Sequence, residues 1–254
     1  MKTPGGREAI AFIDIEFGYV YGTFRAVMMP TEIGAVLYEP REETVQYTGE
    51  EFSYDIDVER WLKVTDASGR RIGVTTMVEN HARGEYRRPF NPRFRIAGDA
   101  VLKAQEVAES AYRDLRHFTD DLISRHPIGT LVFFAASMEK KAFQRAGISL
   151  TSIEEIDLQR RIRRDLHLKT APSLETLSRI IEFRCDECSI SSTHFRYPLP
   201  AGLSPSLGLH RAMGDAARTF LLSREFSEKP EELLERSRPL VEICDPGQGR
   251  STGT

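Results

Sequence analysis

The sequence predicts an α/β or α+β domain of three layers around a mixed sheet, and three observations support this fold class. Strand-like segments cluster in the first 80 residues, whereas strand and helix patterns alternate after residue 98. The chain has 254 residues, of which 40% are hydrophobic, so it can bury a sizeable core. No break in composition before about residue 227 indicates a second domain. We therefore expect one domain over 1–226 and a C-terminal helix or frayed tail over 227–254.

The strands are predicted from β-branched, aromatic or continuously apolar segments that are bounded by turn residues. In the first of them, Asp14 and Glu16 share one face, because strand side chains repeat every second residue. Loops are expected over 19–30, which is aromatic, and over 83–95, which contains two prolines. The predicted strands are 8–17, 32–38, 45–47, 61–65, 72–78, 130–136 and 153–158, the three between 45 and 78 contributing one or two members of the sheet.

The helices are predicted from apolar residues at helical spacing and from capping residues. Pro127 ends the longest helix, Gly147 closes the next one, and Ser173 is the expected N-cap of a later one. The segment 185–209 is rich in Ser and Pro and predicts a loop. The expected helices are 98–125, 138–146, 159–168, 173–183 and 209–224.

The charge balance and the lack of long apolar runs limit the function classes. The net charge of −3 argues against a histone-like nucleic-acid binder, whose domains carry a strong positive excess. No run approaches the roughly 18 apolar residues of a membrane-spanning helix, and the N-terminus lacks the apolar region of a signal peptide. Three cysteines are an odd number in a chain of this size, which suits a reducing compartment. These features predict a soluble, cytoplasmic protein with no membrane partner.

Positive charge is nevertheless concentrated in two places. Residues 60–95 contain nine basic and three acidic residues, and Arg87 and Arg88 within this segment are candidates for contacts to a polyanion. A second basic cluster, 160–164, lies on an expected helix, where an ordinary solvated face is the favoured interpretation. One Cys-x-x-Cys pair, Cys185 and Cys188, favours two loop cysteines over a zinc site because no second pair matches it.

Three short segments carry residues that suit metal-assisted chemistry. Asp14 and Glu16 project from one side of a buried strand, where carboxylates are costly unless a cation or base neutralises them. Glu139 follows an apolar strand at the start of a helix, and His210 lies just before a helix that contains Asp215. Each segment alone has an ordinary explanation: a solvated strand face, an acid that complements a helix dipole, or a capping histidine.

In this order, Asp-x-Glu, the acid after a central apolar strand, and His-x-Ala-x-x-Asp-Ala resemble the DEDDh (DnaQ-like) 3′-5′ exonuclease family. Segment 32–36 (EIGAV) is similar to the second strand of that family, and 173–177 to the helix that precedes its last motif. The resemblance covers roughly residues 9–222. It makes 39–99 an enlarged, basic connection within the domain.

The resemblance implies an RNase H-like fold, with a mixed five-stranded central sheet and helices on both faces. It also implies that Asp14, Glu16, Glu139 and Asp215 bind two Mg²⁺ or Mn²⁺ ions and that His210 is the general base, all five residues being catalytic. The family usually has Asp in the second motif, where this chain has Glu139. Glutamate reaches one methylene further, and coronaviral proofreading exoribonucleases resemble this variant.

The implied activity is metal-dependent hydrolysis of phosphodiester bonds at the 3′ ends of single-stranded RNA or DNA, which releases nucleoside monophosphates. Phe17 and Tyr19 follow the first motif and could stack on the terminal bases, with core packing as the alternative. Some relatives are dimers, so a homodimer is possible on this resemblance. The unusual second motif motivates the other hypothesis, a catalytically weak or inactive nucleic-acid-binding protein with the exonuclease fold.

Overall fold

The computed structural model describes residues 9–21, 26–52, 75–76 and 98–240, and the side chains of 9–18, 28–52 and 106–240. Predictions for the strand 61–65, the loop 83–95 and the arginines Arg87 and Arg88 lie outside these residues. The described part of the chain is an α/β structure with one main sheet and a small second sheet. No helix in this part is both long and apolar enough to cross a membrane.

The main sheet is mixed, as predicted. Five strands follow the order β3-β2-β1-β5-β6, and the two-residue β4 pairs with the C-terminal part of β1, at Gly18 and Tyr19. Pairs β1–β2 and β2–β3 are antiparallel, whereas β1–β5 and β5–β6 are parallel. The strands are β1 (Ala9–Tyr21), β2 (Ala26–Glu39), β3 (Thr44–Glu51), β4 (Thr75–Thr76), β5 (Ile128–Phe133) and β6 (Glu154–Asp157).

The helix predictions are confirmed to within a few residues, because local signals set their ends. Gly147 closes the second helix in the left-handed conformation with φ +72°. Ser173 caps the fourth, and its hydroxyl accepts the N–H of Thr176 at 3.1 Å. The helices are α1 (Gly98–Arg125), α2 (Ser137–Ala146), α3 (Leu158–Asp165), α4 (Leu174–Ile180), α5 (Ala212–Glu228) and α6 (Pro230–Ser237).

Helices cover both faces of the sheet, which makes three layers. Alternate residues of β1, among them Ile13 and Ile15, pack in the core on the side of α1 and α2. Phe12 packs on the opposite side, where its ring meets Phe220 of α5 edge to face at 5.2 Å. Because Asp14 lies two residues after Phe12, it faces α5.

Two loop predictions are wrong. The segment 19–30 is largely strand, since β1 and β2 pair through a long ladder that extends to Tyr21 and Ala26. The segment 185–209 contains a small antiparallel sheet and a short 3₁₀ helix, Ser204–Leu207. These elements form because Ile190 and Tyr197 are buried in the core between the sheet and α5, the α5-side core. The three short strands are β7 (Arg184–Cys185), β8 (Ser189–Ser191) and β9 (Arg196–Pro198).

The last helices pack on the main domain. α5 begins at Ala212, three residues later than expected, and continues through the expected boundary at 226–227 to Glu228. α6 follows after one residue, and its Leu233 is fully buried in the α5-side core. Apart from Lys229, the residues from 227 to 237 are therefore helical, and Leu233 is part of the core.

Candidate metal centre

Helix α5 packs directly against strand β2 of the sheet. This contact determines where the acidic side chain of α5 lies relative to those of β1. Gly34 pairs with Asp14 across the β1–β2 ladder. A Cβ atom on Gly34 would lie under 3.0 Å from the backbone nitrogen of Met213, in the first turn of α5. Only glycine therefore allows α5 to lie this close to the sheet. As a result, Asp215 of α5 lies beside the acids of β1.

The structure brings together residues from distant parts of the chain. One ligand atom from each of Glu16, His210 and Asp215 lies within 4.8 Å of the others. The backbone N–H of His210 donates a hydrogen bond to the carboxylate of Asp215. Asp14 lies within electrostatic range of this group, since the charges of Asp215 and Glu16 raise the pKa of its carboxyl. These four predicted site residues form a cluster in which Asp14 interacts with the other acids through its charge.

Glu139, the fifth predicted residue, approaches the cluster from α2. Its charge raises the pKa values of Asp14 and Glu16. It lies in the first turn of α2, where its carboxylate accepts the backbone N–H groups of Met138 and Glu139. Its Oε2 is buried and has no hydrogen-bond partner among the described residues. The carboxylate therefore complements the helix N-terminus and still offers an oxygen for a ligand.

The carboxyl groups of the cluster all hold protons more tightly than usual. Burial, followed by the charges of Asp215 and Glu16, raises the pKa of Asp14 well above its ordinary value. Burial and Asp215 raise the pKa of Glu16 to about 8. Burial raises that of Glu139 to about 7, and it raises that of Asp215 to about 6 against the lowering effect of Arg218. A bound cation would relieve this repulsion.

A fifth acid, Glu32, was not singled out by the motif. It lies opposite Glu16 in the β1–β2 ladder and is buried. Its carboxylate accepts the N–H groups of Ala212 and Met213 and lies 3.2 Å from Nε of Arg211. Glu32 therefore anchors the start of α5. The sequence signal for Glu32 was its position at the start of the EIGAV strand. Its place opposite Glu16 depends on the register of β1 and β2, which the sequence does not show.

Of the four residues predicted to contact the substrate, the structure describes the side chain of one, Phe17. Phe17 is buried in the α1-side core, after an irregularity in the ladder between Glu16 and Phe17. The structure thus places Phe17 in the core, the alternative weighed for it, and not beside the acids. The side chain of Tyr19 lies outside the described side chains, as do Arg87 and Arg88 in full.

The Cys-x-x-Cys segment forms a turn of the small sheet. The carboxylate of Asp186 accepts the N–H groups of Cys188 and Ser189 at 2.8 and 2.7 Å. Both cysteines are free thiols. His194, nearby in the sequence, contacts Glu225 and Glu232, at 2.8 and 2.9 Å. Within the described part of the chain, these residues do not form a group of three metal ligands.

The donor set of the cluster suits a hard divalent cation. Carboxylate oxygens are the ligands that Mg²⁺ and Mn²⁺ prefer, and a buried, unpartnered carboxylate oxygen is the kind of atom that such an ion satisfies. Asp14, Glu16, Glu139 and Asp215 could hold the metal. The sequence matches no model of a known protein family, and no curated protein matches it significantly.

Proposed function

We propose that this protein is a metal-dependent 3′-5′ exonuclease with an RNase H-like fold, which acts on single-stranded RNA or DNA. One observation carries the proposal: Glu16, His210 and Asp215 offer ligand atoms within 4.8 Å of one another, with Asp14 and Glu139 adjoining them. These residues come from one strand, two helices and the loop that precedes the second of these helices, in the order of the motifs. The mixed sheet with helices on both faces also agrees with this fold.

The proposed reaction is hydrolysis of the last phosphodiester bond. The oxygen of water bonds to phosphorus, the bond from phosphorus to the 3′-oxygen breaks, and that oxygen takes up a proton. The products are a nucleoside 5′-monophosphate and a chain one residue shorter, with a free 3′-hydroxyl. Two divalent ions, when bound, supply positive charge that stabilises the phosphate and the leaving oxygen and favours ionisation of water.

Each residue of the chain has a part in this proposal. The carboxylates of Asp14, Glu16, Glu139 and Asp215 hold the ions. An imidazole nitrogen of His210 lies within 4.8 Å of carboxylate oxygens of Glu16 and Asp215, and in this proposal it takes the proton from the attacking water. Histidine suits this role because it exchanges a proton near neutral pH.

The surface near Glu139 suits a polyanionic substrate. Asp157 ends β6 and caps α3, and its charge raises the pKa of Glu139, so α3 begins beside the site. The N–H of Gln159 also donates to the carbonyl of Phe134 at 2.8 Å, just before α2. Arg160, Arg163 and Arg164 of α3 line an open hollow of about 340 Å³, together with His167 and Leu168, which follow the helix. Arginine at such a surface favours phosphate contacts.

A second candidate function is binding without efficient hydrolysis. The observation that favours it is the engagement of Glu139 by two backbone N–H groups of α2, which limits how its carboxylate can turn. In that case the protein would bind single strands and metal but leave the strands intact.

The test uses 5′-labelled RNA and DNA oligomers with free 3′-hydroxyls, circular strands of matched sequence, and Mg²⁺, Mn²⁺ or chelator. We expect stepwise shortening of linear strands only, dependent on metal and lost in Asp14→Asn. Asp120→Asn, which changes an exposed acid on α1, is the matched control and should keep full activity. Binding without shortening would support the second candidate, whereas cleavage of circles would indicate an endonuclease.

A further inference from the structure

Arg218 lies on α5, one turn after Asp215, and its side chain is buried although it carries a charge. Its Nη1 donates to the carbonyl oxygens of Leu207 and Gly208 at 3.1 and 3.2 Å, and lies 3.5 Å from Oδ1 of Asp215. Its guanidinium carbon lies 4.4 Å from the ring centroid of Phe183. Arg218 therefore joins the loop that precedes α5 to a residue of the metal centre.

The loop contacted by Arg218 carries His210 in an unusual conformation. The φ angle of His210 is +60°, in the left-handed region that residues other than glycine seldom adopt. No side-chain hydrogen bond caps the start of α5 at Arg211. A strained conformation of this kind persists only where surrounding contacts determine it. The hydrogen bonds from Arg218 to the carbonyl oxygens of Leu207 and Gly208 hold the loop just before His210 and so help to maintain this conformation.

The backbone of α5 also touches the same loop. A Cβ atom on Gly214 would lie under 3.0 Å from the carbonyl oxygen of Gly208, so the loop rests directly on the helix. On the other side of His210, Arg211 pairs with Glu32 and Glu51. Two arginines therefore fix the chain on either side of His210. Arg211 binds acids of the sheet, and Arg218 binds carbonyl oxygens of the loop.

We propose that Arg218 is a positioning residue, which sets the imidazole of His210 relative to Asp215 for hydrolysis without contacting the substrate. This inference rests on the proposed exonuclease function. The planar guanidinium suits the task because one rigid group reaches two carbonyls, the Asp215 carboxylate and an aromatic face together. Lysine would keep the positive charge but present no planar fork.

The test is a double-mutant cycle of Arg218→Gln and His210→Ala, with rates and KM measured on a linear oligomer. We expect Arg218→Gln to lower kcat by about 10- to 100-fold with KM changed less than about threefold, since misplacement of a base costs rate. In the His210→Ala background the same change should lower kcat less than about threefold, because no base remains to be positioned. Arg218→Lys should recover only a small part of the loss.

Outcomes of the cycle separate positioning from a general effect on folding. Equal losses in both backgrounds would overturn the inference, because Arg218 would then act independently of His210. Unchanged kcat in Arg218→Gln, with active wild-type protein, would overturn it and leave the proposed function intact. Inactive wild-type protein would overturn both. If Arg218→Gln does not fold, as judged by its thermal transition, Arg218→Lys takes its place in the cycle, and exposed Arg116→Gln is the control in either case.

Discussion

Asp14 is the most crowded carboxylate of the cluster, because the charges of four other acids raise its pKa in addition to burial. Removal of its charge should therefore stabilise the metal-free protein while it removes a candidate metal ligand. We expect Asp14→Asn to raise the stability of the metal-free protein at pH 8 by about 1 kcal/mol, or roughly 2–4 °C in Tm. Thermal melting with chelator measures this. A lower Tm than that of the wild type would contradict the crowding argument.

Glu139 differs from the residue that the resemblance leads one to expect, and its two oxygens have different surroundings. Because one oxygen is buried without a described partner, Glu139→Gln should weaken Mn²⁺ binding and lower hydrolysis together. Titration calorimetry with Mn²⁺ and the rate on a linear oligomer measure the two effects. Glu155→Gln, a partly exposed acid that pairs with Lys140, serves as the control. Wild-type affinity in Glu139→Gln would exclude Glu139 as a ligand.

The contact between α5 and β2 fixes where Asp215 of the candidate metal centre lies relative to the sheet. Gly34→Ala would place a methyl group against the backbone of α5, and such overpacking costs roughly 1–3 kcal/mol. We expect a lower denaturation midpoint in urea and a loss of activity, since Asp215 moves with the helix. Gly208→Ala is the comparison, because its Cβ would be 3.6 Å from Cγ of Arg211, an ordinary contact. Equal stability of the two variants would refute this account.

Helix α3 begins near Glu139 and carries arginines that line an open hollow, and these arginines should contribute to affinity through phosphates. Replacement of Arg160 and Arg164 by Gln should weaken binding of a single strand. It should also make the fall of the log binding constant with log salt concentration less steep, by about 1 per arginine. Fluorescence anisotropy in chelator measures binding without hydrolysis. The same change at Arg116 and Arg125, exposed on α1, should have little effect. An unchanged slope in the α3 variant would place the substrate elsewhere.

For the molecule as a whole, the raised pKa values link stability to pH and to metal. The carboxyls of Glu16, Glu139 and Asp215 release protons at about pH 8, 7 and 6 in the folded chain, against 4.5, 4.5 and 3.8 as ordinary values. The folded state therefore binds more protons than the unfolded state, and its stability falls as pH rises through this range. We expect the Tm of the metal-free protein to fall from pH 5 to pH 8.

Metal should reverse this trend, because it binds the ionised carboxylates of the folded protein. At 100 times its dissociation constant, Mn²⁺ would add about 2.7 kcal/mol of stability. Its effect on Tm should be larger at pH 8 than at pH 5, where protons compete for the same oxygens. Melting curves at both pH values, with and without Mn²⁺, test this. Equal shifts at both pH values would argue against a carboxylate site.

Most helices could be predicted from local sequence signals, whereas parts of several strands could not. Gly147 and Ser173 specify helix ends through their own backbone and hydroxyl, so these ends were predictable. The extension of β1 to Tyr21 and the small sheet around Ile190 depend on pairing and burial against distant residues. Phe17 shows the same limit, since the face it occupies depends on a ladder irregularity and on α1.

The amino-acid sequence alone was enough to predict the α/β class and the mixed sheet, because alternation and capping are local properties. The residues of the candidate metal centre were predicted from a family resemblance of the ordered motifs, and their role as metal ligands stays a prediction. The folded structure determined which groups surround that centre. Glu32 and Arg218 lie far from Asp14 in the chain, and they reach it through strand register and the close contact of α5 with Gly34. The net charge of −3 gave no sign of this concentration of buried acid, since charge effects depend on distance and burial.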